Sequence, residues 1–180
     1  TSFQQVGGWN SAEIMVLYSL SLMSYAIGAS FFFNFSTGLT RRIRSGEFDA
    51  SLMKPIHPFL HEVFSAGYNV AYISHFSISL VILVVSLYQL HYTPTVWNIV
   101  YLALMVLGAA FIQAAALIAS SVMGFFTVGR NPIADFLLWD MKEFTNYPIT
   151  IFPKAIQFVL TFLLPFAFLN FYPAAALLGE

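Results

Sequence analysis

Charged residues are scarce in this chain of 180 residues, at 8% of the total, whereas 59% of the residues are hydrophobic. A soluble domain carries about 25% charged residues. The composition therefore excludes an ordinary water-exposed surface and favours a lipid bilayer as the solvent. The formal net charge of −1 gives no sign of the basic surface that nucleic-acid binding requires.

Cysteine is absent, which excludes a disulfide framework, a thiolate metal site and a cysteine nucleophile. The sequence also lacks the HExxH zinc motif, the GxSxG nucleophile elbow and the GxxxxGK[ST] phosphate loop. We therefore predict no catalytic residues, no metal site and no cofactor site in this chain, and no ATPase site of its own.

Long apolar stretches dominate what is present, and a helix needs about 20 such residues to cross a bilayer core. We predict one transmembrane domain over residues 1–180, an all-α polytopic helical bundle with spans at residues 14–35, 65–90, 96–126 and 154–172.

Asn10 and Glu13 predict a capping box at the start of the first helix. Gly28, with Ser24 one turn earlier, predicts close helix packing. Prolines predict structural breaks at Pro148, Pro165 and Pro173.

All seven Lys and Arg residues fall in the two segments that follow the first and third predicted spans. Because Lys and Arg concentrate in cytoplasmic loops, residues 40–62 and 130–154 are predicted to be cytoplasmic and both ends of the chain external. Residues 133–146 mix aromatic with charged side chains and predict an interfacial helix. An external start without a signal peptide predicts an earlier span, so we expect a chain truncated at both ends.

Ion-coupled carriers need ionisable residues at membrane depth. The predicted spans hold almost none, and His75 is the ionisable residue that lies well inside a span. Residues 40–62 are by contrast strongly charged, which suggests that a partner delivers energy through them. Two alternatives remain open. One is a non-transporting membrane scaffold that recruits a soluble partner, and the other is an intramembrane lipid-acting enzyme that uses His57, His61 and Asp49.

Two groups of residues resemble one known family. The charged segment carries Gly46-Glu47, Asp49, Leu52 and Lys54-Pro55, a pattern that resembles the cytoplasmic loop of ATP-binding cassette (ABC) type-2 export permeases. The end of the chain resembles one prokaryotic branch of that family through Tyr147-Pro148, Leu160-Thr161-Phe162, Pro165, Ala167-Phe168, Pro173-Ala174 and Leu177-Leu178-Gly179. The sequence leaves open whether residues 133–172 form one span with an interfacial helix or a partly re-entrant segment.

The resemblance implies a six-span half-transporter in the plasma (inner) membrane of a bacterium. It implies a second permease copy or a paralogue as dimer partner, and two separate ABC ATPase subunits that hold ATP and Mg²⁺. Transport by alternating access follows, and the uncharged spans, rich in Phe, favour a hydrophobic or amphipathic substrate.

The resemblance also implies that a coupling helix within residues 46–58 contacts the ATPase, through Gly46, Glu47, Asp49, Leu52, Lys54 and Pro55. The neighbouring basic residues are predicted to anchor on anionic lipid headgroups; they are Arg41, Arg42 and Arg44.

Overall fold

A computed structural model of the chain describes residues 5–6, 8–126 and 144–178. Among the described residues, the regular elements are all helices apart from a short antiparallel hairpin of Gln5–Val6 and Trp9–Asn10, which confirms the all-α fold class. The main helices are α1 (Ser11–Ser45), α2 (Glu47–Leu52), α3 (Pro58–Ala66), α4 (Tyr72–Gln89), α5 (Val96–Val122), α6 (Lys154–Phe158) and α7 (Phe171–Leu178).

Helix α1 is the longest element, and its start follows the predicted capping box. The backbone N–H of Asn10 donates a hydrogen bond to Glu13 Oε2 at 2.7 Å. With 35 residues, α1 is about 52 Å long at 1.5 Å per residue, well beyond the roughly 30 Å thickness of a bilayer core. One end of α1, which carries the arginines, therefore extends past the predicted span.

The other long helices pack around α1. Its side chains Val16, Leu17 and Leu20 are fully buried in a core that also holds Leu83 of α4 and Val106 of α5. The predicted close approach at Gly28 is confirmed, because a Cβ atom there would lie 2.9 Å from the carbonyl oxygen of Ala110 in α5. The α1–α5 contact continues along the helices, where Ser36 Oγ lies 2.9 Å from Ser120 Oγ.

The second predicted span starts later than the sequence indicated, at Tyr72 rather than residue 65. Gly67 adopts a left-handed φ of 68° and ends the separate helix α3, because a residue without a Cβ atom takes this φ at little cost. The loop then docks on α1, where the backbone N–H of Asn69 donates to the carbonyl oxygen of Ser30 at 2.8 Å. Helix α4 keeps 18 residues, about 27 Å.

The last described segment is broken rather than straight. Helix α6 continues into one π-helical turn, Val159–Leu163, and the helical stretches on the two sides of Pro165 differ in direction by 79°. Pro148 directly precedes a 3₁₀ turn, Ile149–Ile151. Pro173, predicted to end a span, instead lies in the first turn of α7, where its missing N–H removes no helical hydrogen bond.

Within the described residues, three helices are long and apolar enough to cross a membrane, or four if the bent pair around Pro165 is one span. The protein is thus a multi-pass membrane protein. The interfacial helix predicted at residues 133–146 lies outside the described residues except for residues 144–146.

Candidate functional site

The chain turns sharply at Gly46, between α1 and α2. Gly46 has a left-handed φ of 77°, and its backbone N–H donates to the carbonyl oxygen of Ile43 at 3.3 Å. Glu47 and Asp49 occupy the first turn of α2, where carboxylates interact favourably with the helix dipole. The turn therefore presents two acidic side chains just beyond the basic end of α1.

The six residues predicted to contact an ATPase are all exposed: Gly46, Glu47, Asp49, Leu52, Lys54 and Pro55. The structure adds two apolar neighbours, Met53 with 89% of its surface exposed and Ile56 with 55%. We call residues 52–56 the tip. Exposed large apolar side chains of this kind mark surfaces that contact another protein or a membrane.

The inner side of α2 rests on the bundle through one aromatic contact and one polar contact. The Phe48 ring packs edge-on against Phe125, with the ring centroids 5.1 Å apart. Phe125 belongs to the 3₁₀ turn Met123–Phe125 that follows α5. Helix α2 is therefore in contact with the end of the third long helix as well as with its neighbours in sequence.

The polar contact is made by Glu62 of α3, whose side chain is only 2% exposed. Arg42 of α1 donates to Glu62 Oε2 at 2.5 Å, and the Ser51 hydroxyl of α2 donates to Glu62 Oε1 at 2.6 Å. One carboxylate thus joins three helices; we call Arg42, Ser51 and Glu62 the carboxylate latch. Burial raises the pKa of Glu62, but hydrogen bonds from Ser51 and Arg42 and the Arg42 charge together hold it below its usual value.

The lowered pKa of Glu62 predicts how stability depends on pH. A carboxyl group whose folded-state pKa is depressed contributes stability above its unfolded pKa and loses it as pH falls through the folded value. We expect the contribution of Glu62 to the thermal stability of the detergent-solubilised protein to be fully present and independent of pH near neutral pH, and to be lost only as the pH falls below the ordinary pKa of 4.5. The measurement is the pH profile of the unfolding midpoint, compared with Glu62→Gln. Parallel profiles at acid pH would contradict the prediction.

The arginines occupy different environments. Arg41 and Arg44 are exposed and free to reach lipid headgroups, so their anchoring role stays a prediction. Arg42 is in the latch, with 23% of its side chain exposed, and the structure therefore gives it a protein partner in addition to any lipid contact.

The two histidines of the lipid-enzyme alternative are not brought to a common metal site. His57 is exposed and precedes α3, whereas His61 Nε2 lies 2.8 Å from Lys54 Nζ. Among the described residues, no three His, Asp or Glu side chains are placed to hold a metal ion. His75 is exposed on α4 and its ring contacts Tyr72.

Sequence reasoning missed Ser51, Phe48 and the role of Glu62. Pro58 is the first residue of α3, a position that proline favours. The available signal was a helix starting at Pro58, which places Phe59 and Glu62 on one face. Phe59 indeed contacts Phe35 of α1, with ring centroids 5.6 Å apart.

Comparison with known families places these features in context. A family model described as "ABC-2 family transporter protein" matches residues 1–180, the full length of the sequence. Searches of curated proteins and of solved structures returned no match to this chain.

Proposed function

The chain belongs to the ABC-2 family of transporter proteins and is a membrane component of transport, and from this premise we propose that it is the permease subunit of an ATP-driven exporter. In this proposal two separate ABC ATPase subunits, which hold ATP and Mg²⁺, dock on residues 46–58. The chain itself supplies the transmembrane path and has no ATPase site.

The observation that carries this proposal is that α2 and the tip have an exposed outer surface and an inner surface that packs against the bundle. Outward, the exposed carboxylates of Glu47 and Asp49 lie near the almost fully exposed Met53. Inward, the same short helix contacts Glu62 and Phe125. An element that transmits force needs an outward surface for the partner and an inward contact with the bundle, and α2 has both.

The proposed mechanism is alternating access. ATP binding closes the partner ATPases, and their movement displaces the tip. The displacement passes through Ser51 to α3 and α1, and through Phe48 to the end of α5. Because α1 is the packing centre for α4 and α5, its tilt changes the arrangement of all three long helices.

We further propose that the substrate is hydrophobic or amphipathic and that its path opens where two permease subunits meet. Large apolar side chains cover the outer faces of α4 and α5; examples are Phe76, Val81, Leu104 and Phe111. These faces can contact lipid, a second permease copy or a paralogue, or the substrate. The family resemblance favours the plasma membrane of a bacterium.

Docking can be tested by reversing the two exposed acidic charges. The full-length protein with Glu47→Lys and Asp49→Lys is purified in mild detergent beside the wild type, and bound proteins are identified by mass and assayed for ATP hydrolysis. We expect the wild type to bring down an ATPase and the variant to lose most of it, because like charges placed against a complementary surface cost several kcal/mol.

Lys154→Glu is the matched control, since it reverses an exposed charge on the same predicted side of the membrane but outside residues 40–62. It should retain the ATPase. If the wild type binds a soluble protein that does not hydrolyse ATP, the scaffold alternative is correct. Equal ATPase binding by the wild type and the double variant would remove Glu47 and Asp49 from the docking surface.

A further inference from the structure

Beyond the docking residues themselves, we propose that Glu62 is a positioning residue that fixes the direction of α2 against α1 and α3, so that a push on the tip moves the bundle rather than bending the Gly46 turn. This inference rests on the proposed function of residues 46–58 as the ATPase-docking element. Ser51 and Arg42 are the groups through which Glu62 acts.

The first step of the argument is that α2 needs external support. It has six residues, and isolated helices shorter than about 12–15 residues are marginal in water. The turn at Gly46 gives little rigidity, because glycine populates left-handed and right-handed conformations with similar ease. The direction of α2 must therefore be set by the side-chain contacts that it makes with the rest of the protein.

The second step is that the Glu62 carboxylate divides its two oxygens between two helices. Oε1 accepts from Ser51 of α2 and Oε2 accepts from Arg42 of α1, while the residue itself belongs to α3. Hydrogen bonds to an ionised group are roughly twice as strong as those between neutral groups, and a buried carboxylate that loses its donors is strongly unfavourable. Movement of α2 away from α3 is therefore resisted at Ser51.

The third step is that the aromatic contact of α2 is weaker than the polar one. Phe48 and Phe125 form an edge-to-face pair, which contributes less than a hydrogen bond to a charged group. The Ser51–Glu62 hydrogen bond, by contrast, has a 2.6 Å length that a small rotation of α2 would break. The latch thus fixes the orientation of α2, and the aromatic pair maintains its contact with α5.

Hydrogen exchange on the full-length protein tests this inference without any added label. We compare Ser51→Ala, Glu62→Gln and the rescue variant Ser51→Thr, which keeps the hydroxyl group. Ser45→Ala is the matched control, because its hydroxyl bonds to the carbonyl oxygen of Arg42 on its own helix. We expect amide exchange in α2 to rise about tenfold in Ser51→Ala, consistent with the loss of one hydrogen bond to a charged group, and to stay near wild type in Ser51→Thr and Ser45→Ala.

A second readout separates positioning from general packing. In the complex with co-purified ATPase, a non-hydrolysable ATP analogue should change exchange in α1 and at the end of α5 in the wild type, and should change it much less in Ser51→Ala, although the same amount of ATPase stays bound. Unchanged α2 exchange in Ser51→Ala overturns the inference, and so does faster exchange throughout α1, α4 and α5. If the wild type binds no ATPase, the proposed docking fails, and α2 exchange alone then decides whether Glu62 positions the helix.

Discussion

Arg42→Met is expected to destabilise the protein by about 3 kcal/mol at neutral pH, near the lower end of the range for breaking a buried ion pair. The cost arises because Glu62 is only 2% exposed. Without the Arg42 guanidinium, its buried carboxyl group has lost both water and the charge that compensates it. The lower end applies because Arg42 itself remains partly exposed. The measurement is the unfolding midpoint in detergent, followed by tryptophan fluorescence.

The double variant Arg42→Met with Glu62→Leu should recover much of this loss, since apolar pairs of similar volume often replace buried ion pairs at little cost. Arg41→Met and Arg44→Met are matched controls on the same turn of α1, and because both arginines are exposed each should change stability by no more than about 0.5 kcal/mol. Equal midpoints for the three single arginine variants would show that the ion pair with Glu62 contributes nothing.

The double variant also distinguishes the two roles of Glu62. It fills the space between α1 and α3 with apolar side chains but leaves the Ser51 hydroxyl without its carboxylate acceptor. The bundle should therefore be stable while exchange in α2 stays high. Stability and positioning would then be separated in one protein.

The fold class was predictable from the sequence because apolar run length is a strong signal when charges are so few. The family was predictable because residues such as Gly46-Glu47 and Tyr147-Pro148 carry recognisable patterns. Helix ends were less predictable: the start of α4 depends on Gly67, whose left-handed φ is not visible in hydropathy, and Pro173 reads as a break although it is compatible with a helix start.

The candidate site was predictable only on its outer side. Exposed charges such as Glu47 and Asp49 stand out in an apolar chain, so their position in the sequence reveals them. The inner side depends on pairs far apart in sequence, Arg42 with Glu62 and Phe48 with Phe125, and such pairs appear only when α3 and the end of α5 are placed in space. Glu62 in particular looks like another solvated charge until its burial is known.

The packing of α1 on α5 leads to the second large effect, at Gly28. Gly28→Ala should destabilise the protein by about 1–3 kcal/mol, the usual cost of overpacking a close contact. The new Cβ atom would lie 2.9 Å from the carbonyl oxygen of Ala110 and 3.3 Å from the backbone nitrogen of Ala114. Because these are backbone atoms of α5, a side-chain rotation cannot relieve the contact, and the two helices must move apart.

Gly38→Ala makes the same chemical change on the same helix where a Cβ atom would meet nothing within 4 Å. Removing a glycine from a helix interior stabilises by roughly 0.5–1 kcal/mol, so the two variants should shift the unfolding midpoint in opposite directions. A common direction would show that backbone propensity, and not the α1–α5 distance, determines the result. Opposite shifts would establish that the bundle depends on α1 and α5 meeting at Gly28, the close contact through which a tilt of α1 would reach α5.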